Sequence, residues 1–99
     1  MQIKLIDREN EGELLIIGRI DPNTVDETEK ILIQMAERFN TIILNLYEMD
    51  YISSAGLKVL RDLNTILTRK GGMLKIKGTN KNVMEVFEMT GFAGTVTFI

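Results

Sequence analysis

Met49-Asp50-Tyr51-Ile52-Ser53-Ser54-Ala55-Gly56-Leu57 is the stretch on which the fold turns. Just before it, Thr41-Ile42-Ile43-Leu44-Asn45-Leu46 is short, apolar and β-branched with little alternation, the look of a strand in the interior of a sheet. In the quoted stretch the strand pattern stops, two serines follow, and a helical pattern opens with a glycine in its first turn. Leu57, Leu60, Leu63, Ile66 and Leu67 then recur on one helical face, with Lys58, Arg61, Asp62 and Arg69 mostly off it. Lys70-Gly71-Gly72 supplies the positive charge and glycine that end helices.

The same alternation continues on both sides. Downstream, Met73–Lys77 suits a strand, and Val83, Val86, Phe87 and Met84 form the buried side of a helix closed by Gly91. Thr95–Ile99 reads as a last strand. Upstream, Ile3 and Leu5 alternate with polar residues, Glu11-Gly12 turns, and Leu14–Ile17 is a second strand ended by Gly18, antiparallel to the first because the link is short. Asp21-Pro22-Asn23-Thr24 starts a helix, with either Asp21 as N-cap and Pro22 at the first helical position, or Thr24 as N-cap and Glu27 closing a capping box. Val25, Thr28, Ile31, Leu32 and Met35 share its inner face. The predicted order is ββαβαβαβ, one α/β domain over residues 1–99 with a mixed, mostly parallel sheet.

Composition narrows the chemistry. Lys and Arg number 12 against 14 Asp and Glu, and no basic block stands out, so neither nucleic acid nor an anionic membrane is the default partner. There is no cysteine and no histidine, which removes thiolate chemistry, the usual neutral-pH base and the commonest metal ligands. No catalytic residue, cofactor or metal is expected. The N-terminus lacks a signal-peptide apolar run and no segment is long and apolar enough to span a bilayer, so a cytoplasmic protein is expected.

That leaves the serines. A serine between strand and helix is a favoured N-cap, and Ser54 reads as that cap, a role that needs no further function. Gly56 adds tension, because glycine inside a helix costs ~1 kcal/mol relative to alanine and so signals close approach by a neighbouring strand or a partner. Neither phosphate-loop glycine spacing nor a Gly-x-Ser-x-Gly elbow is present, and Lys58 is the only nearby candidate base for Ser54 as a nucleophile. Nucleotide binding and catalysis are both weak readings.

Ile52-Ser53-Ser54-Ala55-Gly56-Leu57, with Leu44-Asn45-Leu46 before it and Gly18-Arg19-Ile20-Asp21-Pro22-Asn23-Thr24 further back, resembles the STAS domain of bacterial anti-sigma factor antagonists. Gly71-Gly72 and Phe87-x-x-x-Gly91 extend the resemblance over essentially the whole chain. It implies a non-catalytic protein that, unphosphorylated, binds an anti-sigma factor with serine kinase activity and so frees the sigma factor. The kinase would phosphorylate Ser54 and a metal-dependent serine phosphatase would reverse this. By the same matching, Asp21 and Thr24 fall on an Asp-x-x-Thr loop beside the serine, Ser53 to Gly56 line the partner-binding junction, and Gly56 keeps the approach to Ser54 clear. Lys58 and Arg61 form the rim of the binding surface or else an ordinary solvated helix face. Asp21 and Asp50 are expected to sharpen repulsion of a partner once Ser54 carries a phosphate.

Two departures stand out. Many members carry aspartate before the serine and serine after it, where this chain has Ser53 and Ala55, so Ser53 competes as phospho-acceptor. The sequence given ends at Ile99 without the final helix of many members, and the resemblance therefore leads one to expect sheet surface open to self-association as a weak homodimer. A STAS subunit of a transport complex, or of a partner-switching pathway without a sigma factor, is the alternative reading.

Overall fold

In a computed structural model describing residues 1–99, the chain starts with a hairpin. Strand β1 (Gln2–Asp7) pairs antiparallel with the ten-residue β2 (Glu11–Ile20). Helix α1 (Val25–Arg38) returns the chain to β3 (Thr41–Asn45), which runs parallel to β2 and lies inside the sheet, between β2 and β5 (Met73–Lys77). Helix α2 (Ser54–Arg69) precedes β5, and helix α3 (Lys81–Met89) leads through a 3₁₀ turn (Phe92–Thr95) to β6 (Thr97–Phe98), parallel to β5. The expected α/β class, with a mostly parallel sheet and an antiparallel start, is what forms.

One strand lies outside the expected order. Met49–Ile52, read from sequence as the approach to the helix, is strand β4, parallel to the far end of β2. Because β2 is twice as long as β3, its first half pairs with β3 and its last residues are free to take β4. The pairing skips a residue: Gly18 faces Met49 and Arg19 faces Tyr51, so Asp50 is the extra residue of a bulge. The last strand is shorter than expected for a physical reason. Phe92, 1% exposed, turns inward against Phe87 with ring centroids 4.9 Å apart, edge to face, and the chain coils through Thr95 before it can extend.

Alternation divides the sheet into two unlike faces. Leu14 and Ile16 of β2, Ile42 and Leu44 of β3, and Leu74 and Ile76 of β5 join Leu32, Ala36, Leu57, Leu60, Leu63, Leu67, Val83 and Phe87 of the helices in one core. The opposite face carries Glu11, Glu13, Thr41, Asn45, Lys75 and Lys77. Ile43 also points there; it is buried but stands apart from the core, flanked in register by Glu13 and Lys75.

Glu13 is 3% exposed and is covered by two cations and an amide: Arg8 Nη2 at 3.1 Å, Lys77 Nζ at 3.1 Å and Asn45 Nδ2 at 3.4 Å. Burial alone would raise its pKa, but the hydrogen bonds from Lys77, Asn45 and Arg8 and the charge of Lys77 outweigh it and hold the carboxyl below its ordinary value. A depressed folded-state value means the group stabilises the fold above the unfolded carboxylate pKa, about 4.3. That contribution is lost as pH falls through the folded value. Glu13→Gln should therefore have a lower urea midpoint than wild type at pH 7, and the gap should narrow as pH falls below the unfolded carboxylate value of about 4.3; a gap that does not change with pH would show that the charge contributes nothing.

Candidate functional site

The site forms where β2 and β4 end side by side. Ile20 pairs with Ile52, and the Ser53 N–H donates to Ile20 O at 2.8 Å, so the chain leaves β4 for α2 directly beside the Asp21–Thr24 loop. The Asp-x-x-Thr loop and the serine junction, separated by about thirty residues, are thus neighbours.

The two serines divide the roles. Ser53 is the N-cap: it has extended backbone, is 8% exposed, and its Oγ accepts from the Gly56 N–H at 3.1 Å. Ser54, read from sequence as the cap, is instead the first helical residue and is exposed. The difference arises because the Ile20 carbonyl holds Ser53 at the strand end, one residue earlier than the polar run suggests. Ser53→Ala is accordingly expected to cost ~1 kcal/mol of stability and Ser54→Ala less than ~0.5 kcal/mol, readable as denaturation midpoints. Equal losses would mean that the cap is shared.

Ala55 is exposed beside Ser54, whereas Gly56 is buried. A Cβ on Gly56 would stand 2.6 Å from Ile20 Cγ2 and 2.9 Å from Ile52 Cγ1. The glycine lets α2 approach the β2–β4 pair; it faces the sheet and does not clear a path to Ser54.

The Asp21–Thr24 loop is self-contained. Asp21 Oδ1 accepts from the Asn23 and Thr24 N–H groups at 2.8 and 3.2 Å. Thr24 occupies the N-cap position of α1 but makes no side-chain cap bond. Its Oγ1 donates to Arg19 O and accepts from the Asp21 N–H, each at 3.0 Å, so the Thr24–Glu27 capping box does not form; Asp21 makes the side-chain bonds of a cap, but to the turn that precedes α1. Asp21 Oδ2 pairs with Arg19 Nε at 3.1 Å. The Asp21 charge is therefore paired with Arg19 at the end of β2, while Asp50 stays exposed on the bulge.

Arg19 is the residue that sequence reading missed. Its guanidinium lies 4.8 Å from the centre of the Tyr51 ring, which is 46% exposed. The signal was present in Gly18-Arg19-Ile20-Asp21, but it acquires meaning only once β4 puts Tyr51 opposite Arg19. Next to Tyr51 a groove of 170 Å³ runs between β4 and α3, lined by Asp50, Tyr51, Ile52, Asn82, Val83 and Val86.

Lys58 lies one turn beyond Ser54 and is exposed. Its Nζ pairs with Asp62 Oδ2 at 2.9 Å; the hydrogen bond to Asp62, then its charge and that of Glu29 on α1, raise the ammonium pKa. Arg61 is two turns from Ser54 and donates to Thr90 O at 2.9 Å, tying α2 to the end of α3. No group of three or more acidic side chains converges to hold a metal ion.

The chain is similar to curated anti-sigma-B factor antagonists. It is 26% identical to that of Bacillus subtilis (strain 168) over 83 residues, 84% of this chain and 76% of the relative. It is 27% identical to that of Staphylococcus epidermidis over 92 residues, 92% and 85% respectively. Among solved structures, an anti-sigma factor antagonist from Mycobacterium paratuberculosis superposes with a TM-score of 0.88 at 17% identity, covering 98% of this chain and 83% of that one. The unphosphorylated anti-sigma factor antagonist SpoIIAA gives 0.80 at 14% identity, covering 99% and 87%. A sulfate transporter family protein from Wolinella succinogenes gives 0.78 at 16% identity, covering 94% and 80%. At such identities the structural likeness is one of fold. The family profile described as the STAS domain matches residues 3–99, and the chain belongs to the STAS domain family.

Proposed function

We propose that this chain is an anti-sigma factor antagonist working in the cytoplasm as a single STAS domain over residues 1–99, whose unphosphorylated form binds an anti-sigma factor with serine kinase activity and releases a sigma factor. The observation that carries the reading is the division of the two serines: Ser53 is buried and committed to Gly56, while Ser54 is exposed at the first position of α2. A kinase needs a hydroxyl it can reach. The Ser54 Oγ would attack the γ-phosphorus of ATP, its proton passing to a base of the kinase, the γ-phosphorus–oxygen bond breaking and ADP leaving. A serine phosphatase would return the hydroxyl by hydrolysis.

The product is compatible with the fold. A phosphate adds about −1.5 to −2 charges at a helix N-terminus, where the dipole and free N–H groups favour anions. The α2 first turn holds no acidic residue to oppose it. The effect therefore falls on the partner surface: Ser54 and Ala55, the Asp21–Thr24 loop, Lys58 at the rim, and Asp50 adding repulsion. Ser53 and Gly56 support this surface from beneath, and Arg61 marks its far edge. The antagonist relatives support the partner class. Incubation with a kinase-type anti-sigma factor and ATP, followed by mass mapping, should place one phosphate on Ser54 and none in Ser54→Ala; a phosphate on Ser53 would overturn the assignment.

A second reading, service in a transport complex, is favoured by the likeness in fold to the sulfate transporter family protein. No phosphate transfer, together with capture by a transporter, would select it.

A further inference from the structure

Ser54, Lys58 and Asp62 follow one another at four-residue spacing along α2, so their side chains form one row on the solvent side of the helix. In the unmodified chain Lys58 reaches forward to Asp62, with side chains 73% and 48% exposed. That pair has its cation N-terminal to its anion, the weaker of the two orientations on a helix. A phosphate on Ser54 would set a larger negative charge four residues N-terminal to the same ammonium, which is the stronger orientation.

The other cation near the junction is less free. Arg19 is held by Asp21 at 3.1 Å and by the Tyr51 ring at 4.8 Å, so turning it toward a phosphate gives up both contacts. Lys58 gives up one water-screened pair. Glu29 on α1, the remaining charge felt by Lys58, acts on it at longer range than Asp62 and makes no ion pair with it.

We propose that Lys58 is the intramolecular receiver of the Ser54 phosphate: on modification it leaves Asp62, pairs with the phosphate one turn back, and uncovers the Asp62 carboxylate. The proposal rests on Ser54 being the modified residue and adds how the surface changes. A partner would then meet negative charge at two points of one helix, a partly neutralised phosphate and a carboxylate two turns beyond it. The rim read as a solvated helix face becomes part of the switch.

The test uses the full chain with phosphoserine installed at position 54 during translation, titrated by phosphorus NMR at low salt. The ordinary second pKa of a phosphoserine is about 6. Lys58→Met should raise the midpoint by about 0.3 pH unit, the size of a surface pair at this spacing. Asp62→Asn should lower it, because it removes the competitor for Lys58. Arg19→Met should leave it unchanged. An unchanged midpoint in Lys58→Met, or a rise in Asp62→Asn, overturns the proposal; a rise confined to Arg19→Met overturns it in favour of Arg19. Because the phosphate is installed rather than transferred, this result stands apart from the kinase mapping, and either can fail without the other.

Discussion

Ser54→Asp is expected to bind the kinase-type anti-sigma factor about a hundredfold more weakly than Ser54→Ala in calorimetric titration, a difference of ~3 kcal/mol. The argument separates the fold from the interface. At the first position of α2 a carboxylate meets the positive end of the helix dipole, in a first turn that holds no other acid, so the variant should melt at or slightly above the wild-type temperature. Any loss of affinity then arises where the partner must desolvate the new charge or face it with like charge, and Asp50 lies exposed on the adjoining bulge to add to that cost. Aspartate carries one charge where phosphate carries nearly two, so the phosphorylated chain should bind more weakly still. Equal affinity of the aspartate and alanine variants would end the electrostatic mechanism.

Gly56→Val should lower folding stability by ~3 kcal/mol, the upper end of the range for overpacking a tight core. Even a bare Cβ would lie within 3 Å of Ile20 and Ile52, which are 0% and 4% exposed and anchor the paired ends of β2 and β4. Valine adds two methyl groups against two isoleucines already packed in the core. Gly56→Ala should lose less, because alanine regains ~1 kcal/mol of helix propensity. The denaturant midpoint should fall at constant slope, and partner binding should be retained at temperatures where the variant stays folded. A valine variant as stable as wild type would show that α2 can lift off the sheet without cost.

Local chemistry was readable along the chain because its cause is local. The stripe from Leu57 to Leu67 buries against the sheet as its spacing requires, and Gly71 and Gly91 end their helices with φ of +77° and +80°. The interior place of Thr41–Asn45 followed from its β-branched run. Strand β4 was not readable: Asp50 sits in a bulge, so the alternation that marks a strand is broken within four residues. Arg19 was hidden for the same reason, since its partner Tyr51 lies on that strand.

The amino-acid sequence by itself determined an α/β domain of one core, the absence of cysteine and histidine chemistry, and a serine junction at the start of a helix, because periodicity, composition and helix-end residues act over a few neighbours. Only the tertiary structure decided which serine is which. By residue type either serine can cap, and read from sequence the cap falls on Ser54; the Ile20 carbonyl, on a strand more than thirty residues earlier, fixes Ser53 at the strand end and turns Ser54 outward. The same contact decides Gly56, whose missing side chain is the space that Ile20 and Ile52 occupy.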